Sequence, residues 1–157
     1  MREVKSSDEY GLLELRNNPD IYKWFFSKSP VETADHKKWM ETRLKLFKEI
    51  TLVAESRDSV IGTAYLSSIV NGVAEVSIRV QKASAGHGVG RLLLQELIKQ
   101  AKDSKLSTLY ARVHKDNFDS IRFFERTDFN RISEIGGASE DIYGSEFFTY
   151  ILELHCR

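Results

Sequence analysis

Residues 78–101 read IRVQKASAGHGVGRLLLQELIKQA. An apolar, β-branched stretch runs into glycines at every second position, Gly86, Gly88 and Gly90, and a leucine-rich pattern begins at once. Leu93, Leu94, Leu97, Ile98 and Ala101 fall at i, i+1, i+4, i+5 and i+8. That is one apolar stripe of an α-helix, which Gly90 continues backwards by three. The stretch is a strand, a glycine turn and a helix start. Such a turn aims several backbone N–H groups one way, and the partial positive charge of the helix N-terminus adds to them, which suits a phosphate. Glycine serves there because φ is positive or because a Cβ would hold phosphate oxygens away. A tight turn with close helix-to-strand packing is the bland alternative. No Lys-Ser/Thr follows as in a P-loop, and Gly-x-Gly-x-Gly is not the dinucleotide fingerprint.

Working upstream, VAEVSIRV (73–80) alternates, with Ala74, Val76, Ile78 and Val80 on one face and Glu75, Ser77, Arg79 and Gln81 on the other. Asn71-Gly72 before it is a hairpin turn, joining it to a strand at 60–70. Arg57-Asp58-Ser59 joins that strand to another at 51–56. The N-terminal third reads as two helices. One, around 10–17, has capping-box spacing at Ser6 and Glu9 and is ended by Asn17, Asn18 and Pro19. The other opens between Pro30 and Thr33, with Trp39, Met40, Leu44 and Phe47 along one side. The aromatic stretch 21–26 is a helical turn or a covering loop. Downstream come a strand at 107–113, a short helix at 119–126 carrying Ile121 and Phe124, and closing strands near 130–133 and 146–154. A strand-helix-strand unit across 73–113 implies one parallel pairing, so the expected fold is α+β, a mixed and mostly antiparallel sheet flanked by helices.

At 157 residues without a linker or repeat, the chain reads as a single domain over 1–157. Lys plus Arg equals Asp plus Glu at 23 each, so no overall field draws nucleic acid or an anionic membrane, and any anion site is local. Apolar runs are far too short for a membrane span, and a lone Cys156 forms no intrachain disulfide. A cytoplasmic location is expected. His36, His87, His114 and His155 have no metal-ligand spacing, and no metal is expected.

Two motifs, taken together, resemble the GCN5-related N-acetyltransferases (GNAT). The glycine turn stands here as Ala85-Gly86-His87-Gly88-Val89-Gly90-Arg91, and the second motif as VHKDNFDSIRFFERTDF (113–129). The resemblance covers essentially the whole chain and implies the GNAT fold, acetyl-CoA as cosubstrate and acetyl transfer to a primary amine. It implies that Ile78, Arg79 and Val80 run along the cofactor, with the Val80 N–H toward the acetyl carbonyl. Gly86, His87, Gly88, Val89, Gly90 and Arg91 would hold the pyrophosphate, and Asn117 and Phe124 would line the rest. Three positions depart from the pattern. Ala85 replaces an Arg or Gln, Asp128 replaces a glycine, and Phe124 replaces a Tyr often assigned as general acid. A free thiol has a pKa around 8.5, so a thiolate leaves without strong acid help. Tyr110, Tyr143 and Tyr150 are substitutes among which the sequence does not choose.

Glu75, on the polar strand face, is the candidate base by the same resemblance. His114, with a suitable intrinsic pKa, is the other. The acceptor is read from LRNNPDIYKWFFSKSPVETADHKKWM (15–40), which resembles acetyltransferases of nucleotide-linked 4-amino-4,6-dideoxy sugars of the pseudaminic-acid type. Arg16, Asn17, Trp24, Phe25 and His36 are its expected substrate contacts, Arg16 with a diphosphate or hydroxyls and an aromatic stacking on base or sugar. Protein N-terminal amines, antibiotic amines and a non-catalytic acetyl-CoA-sensing role are the alternatives. The partner is thus a small-molecule amine, with no nucleic acid or membrane. The state is monomer or homodimer, depending on whether the aromatic last strand closes the core or pairs with a second copy.

Overall fold

The computed structural model describes residues 1–25, 27–45, 50–132, 139–140 (backbone only) and 146–154. Among them, eight strands form one sheet in the order β1-β2-β3-β4-β5-β8-β6, with β7 also on β8. In chain order these are β1 (Arg2–Glu3), helices α1 (Glu9–Arg16), α2 (Pro19–Tyr22) and α3 (Thr33–Lys45), then β2 (Thr51–Ser56), β3 (Ser59–Val70) and β4 (Val73–Val80). Helix α4 (Val89–Asp103), β5 (Thr108–His114), α5 (Phe118–Phe124), β6 (Asn130–Ile132), β7 (Ser139–Glu140) and β8 (Glu146–Glu153) complete the chain. Every pairing is antiparallel except β4 with β5. The two hairpins turn where the sequence places them, with left-handed φ of 48° and 63° at Arg57 and Asp58 and of 50° and 80° at Asn71 and Gly72.

The alternation of the strands decides which helix covers which face. On β2, Leu52 and Ala54 join Leu93, Leu94 and Leu97 of α4 and Ile121 and Phe124 of α5 in the main core. Val53 between them packs with Leu12 of α1 and Met40 of α3. Helices α4 and α5 therefore lie on one face and α1 and α3 on the other. Glu75, Ser77 and Arg79 of β4 and Tyr110, Arg112 and His114 of β5 are out of phase with the main-core residues, so they belong to the α1–α3 face. Among the described residues no helix is long and apolar enough to cross a membrane.

Several local expectations change. The α1 cap sits one residue earlier than read. Lys5 precedes a 3₁₀ turn at Ser6–Asp8, and its N–H is taken by the Asp8 carboxylate at 2.7 Å rather than by a Ser6–Glu9 exchange. Asp8 is drawn there because it also holds Arg2, at 2.7 Å to each terminal nitrogen. Pro19 opens α2 instead of only ending α1, since Asn18 accepts the Asp20 N–H at 2.9 Å and proline suits a first helical turn. On α3 the buried residues are His36, Met40 and Arg43, while Leu44 is exposed; Phe47 lies outside the described residues. Where the family pattern has a glycine before Phe129 and this chain has Asp128, Thr127 closes the end of α5, its hydroxyl donating to the Phe124 carbonyl and accepting from the Phe129 N–H. Strand β8 is paired on both edges, with β5 on one side and β6 and β7 on the other, so it is an interior strand of the sheet.

Candidate active site

The parallel pair β4–β5 holds register only over Val73↔Thr108, Ala74↔Leu109 and Glu75↔Tyr110. Beyond that point β4 continues to Val80 and β5 to His114 without pairing, so the sheet opens into a wedge. The β3–β4 ladder shows which groups face this opening. Val80 is opposite Gly62, and the next residue, Gln81, donates its N–H to Ile61 at 2.9 Å. Donors alternate along an antiparallel strand. The N–H groups of Ile78 and Val80 therefore point away from β3, toward the wedge. The Val80 side chain itself packs against the main core.

The glycine turn borders the wedge. Gly86 and Gly88 have φ of 78° and 82°, and nothing lies within 4 Å of where a Cβ would stand at either. Their requirement is thus backbone conformation, and the space over them is open to a ligand. Gly90 differs: a Cβ there would meet the Phe123 ring at 3.3 Å, so this glycine lets α4 and α5 approach. The packing reading thus holds for Gly90, while Gly86 and Gly88 are set by backbone conformation with open space above them. The first N–H groups of α4 lack partners within the helix. His87 is exposed and donates Nδ1–H to the Ala85 carbonyl at 3.0 Å, folding over its own turn. Val89 and Arg91 follow in the first turn of α4, Arg91 exposed. Asn117 caps α5, accepting the Ser120 N–H at 3.2 Å. Phe124 is buried, stacked on Tyr150 at 5.5 Å, and is a core residue.

At the apex of the wedge Glu75 accepts two hydrogen bonds from Arg112, at 2.8 and 3.1 Å. Tyr110, its register partner, has its pKa raised by burial and by the Glu75 charge, so its phenol stays protonated. Tyr150 is fully buried with an unpartnered hydroxyl, and Tyr143 lies outside the described residues. His114 ends β5. Its Nδ1 accepts the Asp116 N–H at 3.2 Å, which leaves the proton of the neutral ring on Nε2. In that tautomer the imidazole offers a donor and has no free lone pair for a base.

The segment after α2 covers the α1–α3 face. Trp24 tilts over His114 at 5.5 Å between centroids, and the guanidinium groups of Arg16 and Arg79 each stand against the Phe25 ring, 4.2 and 4.5 Å from its centroid. Asn17 clamps Val31 through both backbone groups, at 2.7 and 2.9 Å, and Arg16 reaches Ser27 and the Ser29 carbonyl at 3.3 Å. Asn17 is therefore a loop anchor. His36 was expected to touch substrate; it is instead 4% exposed, donates Nε2–H to the Glu9 carbonyl at 3.1 Å, and stacks on Trp39. Burial pushes its pKa below the ordinary imidazole value. Arg79 was expected along the cofactor; its backbone borders the wedge, but its side chain turns to Tyr65 and Phe25. Sequence reading missed Tyr65 and Arg112, because only strand register brings them to Arg79 and Glu75.

A family model described as "Acetyltransferase (GNAT) domain" matches residues 1–130. Among curated relatives, an uncharacterised Methanocaldococcus jannaschii protein is 27% identical over 146 residues, covering 91% of this chain; the chain spans only 30% of that protein's length. An L-methionine sulfoximine/L-methionine sulfone acetyltransferase of Pseudomonas aeruginosa is 28% identical, with 94% of this chain and 86% of that protein covered. The Vibrio cholerae spermidine N-acetyltransferase, solved with CoA and spermine, superposes with a TM-score of 0.84 at 17% identity, covering 99% of this chain and 95% of that one. At that identity it shares the fold.

Proposed function

The chain belongs to the GNAT acetyltransferase family, and from that membership we propose that it transfers the acetyl group of acetyl-CoA to the primary amine of a small molecule. The observation that carries the proposal is the wedge: unpaired N–H groups of Ile78 and Val80 lie beside a left-handed glycine turn that opens α4. Bound acetyl-CoA supplies the thioester; a neutral amine attacks its carbonyl carbon, the C–N bond forms, the C–S bond breaks, and CoA leaves as thiolate. The turn from Gly86 to Arg91 binds the pyrophosphate through backbone donors, since Ala85 adds no charge. The Val80 N–H steadies the carbonyl oxygen.

The amine loses a proton to Glu75. Arg112 occupies two of the roughly four lone-pair sites of that carboxylate, so capacity remains for the amine or a bridging water. Tyr110, protonated and beside Glu75, is the donor that offsets the absence of a Tyr at Phe124. His114 acts through its Nε2–H as a positioning group.

A nucleotide-linked amino sugar is the acceptor we favour from the stretch 15–40, with Trp24 and Phe25 as stacking surfaces. A free amino acid is the second reading, favoured by the Pseudomonas relative that spans nearly the whole chain. Thiol release from acetyl-CoA with nucleotide-linked amino sugars, amino acids, peptides and polyamines tests both. Release with a small amine is expected. Acetyl-CoA binding without release for any amine would mean a sensor, and no binding would overturn the proposal.

A further inference from the structure

The acceptor face carries positive charge that the protein does not neutralise. Arg16 projects from the end of α1 and Arg79 from the last turn of β4, and both guanidinium groups sit within 4.5 Å of the Phe25 ring centroid. No carboxylate lies within ion-pair distance of either among the described residues. Arg112 on the same face differs, since Glu75 pairs with it at 2.8 Å. Arg79 donates one Nη2–H to the Tyr65 hydroxyl, while its Nε is fully buried and has no partner. Arg16 reaches only a serine hydroxyl and a carbonyl, each at 3.3 Å, the long end of hydrogen bonding. Burial, and after it the charge of Arg79, lowers the Arg16 pKa to about 10. Two partly buried guanidinium groups over one ring, with no carboxylate beside them among the described residues, are stabilised when something anionic joins them.

We propose that Arg16 and Arg79 form the recognition site for an oxyanion, carboxylate or phosphate, on the acceptor, so that the enzyme selects negatively charged amines. The inference rests on the acetyl-transfer reading of the wedge and deepens it. Residue 79 joins the two halves. Its neighbours Ile78 and Val80 aim backbone donors into the wedge, and its side chain turns to the acceptor face. The anion is therefore held about one arginine length from where the amine must react. The planar forks suit bidentate binding of either oxyanion, with Phe25 against both guanidinium groups and Tyr65 against that of Arg79. Glu75, two pleats back on the same face, meets the amine end. A polycation would instead bring its second ammonium group against the two guanidinium groups.

The test uses the full chain and two readouts. In the first, kcat/KM is measured for a nucleotide-linked amino sugar, for L-methionine sulfone, for L-methionine sulfone amide and for spermidine. The amino sugar and the amino acid distinguish phosphate from carboxylate as the preferred anion. Removing the carboxylate charge as the amide should cost about 30-fold, and Arg79→Met and Arg16→Met should each raise the acceptor KM about 30-fold. The KM for acetyl-CoA should not move. Arg79→Lys, which keeps charge but not the fork, should recover only part of the loss. A preference for spermidine, or equal losses in Arg79→Met with the acid and its amide, would overturn the inference. The second readout is calorimetric binding of uridine diphosphate and of N-acetyl-L-methionine, which needs no turnover. If thiol release fails with every amine, the acetyl-transfer reading falls alone. Wild type binding neither anion, or binding unchanged in Arg79→Met, would sink the oxyanion site.

Discussion

The glycine turn and the arginine–aromatic patch sit on either side of residues 78–80, and they are built in opposite ways. The turn comes from one short stretch of chain. Its donors are backbone N–H groups, and its specificity lies in two positive φ angles with open space above them. The patch takes Arg16 from α1, Phe25 from a loop, Tyr65 from β3 and Arg79 from β4, and works through side chains. A backbone site serves a ligand shared by a whole family, because any side chain outside the glycines is free to change. A side-chain site is where one member sets its own acceptor.

The sharpest way to break this contrast is Gly88→Val. The φ of 82° makes a β-branched residue strained by about 1–2 kcal/mol, and its side chain would enter the space left for phosphate. Affinity for acetyl-CoA should fall at least about 100-fold by calorimetry, with only a modest drop in melting temperature. Unchanged affinity would return the turn to packing alone. Glu75→Gln comes next. It keeps one acceptor oxygen for Arg112 but cannot take a proton. Loss of about 100-fold in kcat is expected, with the KM for acetyl-CoA unchanged. An unaltered kcat would remove Glu75 as base.

Asn17→Ala probes the patch through the loop that carries it. Releasing both hydrogen bonds to Val31 should loosen the loop carrying Trp24 and Phe25. We expect about a 5- to 10-fold rise in acceptor KM; a parallel rise in acetyl-CoA KM would show that the two halves are not separable. The smallest effect on activity belongs to Asp8→Asn, which should cost about 2 kcal/mol of stability and leave kcat alone. Hydrogen bonds from Arg2, then the Lys5 N–H, hold the Asp8 carboxyl below the usual carboxylate range despite burial. A depressed folded pKa stabilises above the unfolded value of about 3.9, and that contribution is lost as pH falls through the folded value. The gap in melting temperature between wild type and variant should therefore be full at neutral pH and close in acid.

Much of the fold is readable without coordinates. The hairpins at Arg57-Asp58 and Asn71-Gly72, the alternation of 73–80 and the α4 stripe all rest on periods set within a few residues, and each appears where those periods place it. Local signals failed where a distant residue competed. Asp8 replaced the Ser6–Glu9 cap because Arg2 on β1 draws the carboxylate. His36 looked like a ligand contact on an amphipathic helix, but the Glu9 carbonyl and the Trp39 ring take it into the interior. Asn17 looked similar, and Val31 takes both of its amide groups.

By itself the sequence determined the strand-turn-helix around Gly86 and Gly88, because dihedral preference and hydrophobic period are properties of adjacent residues. Only the tertiary structure decided that β4 parts from β5 after Glu75, that Glu75 meets Arg112, and that Arg16 and Arg79 share the Phe25 ring. Glu75 and Arg112 are 37 positions apart in the chain, and Phe25 and Arg79 are 54 apart (79 − 25); strand register and packing bring them together, which no local period encodes.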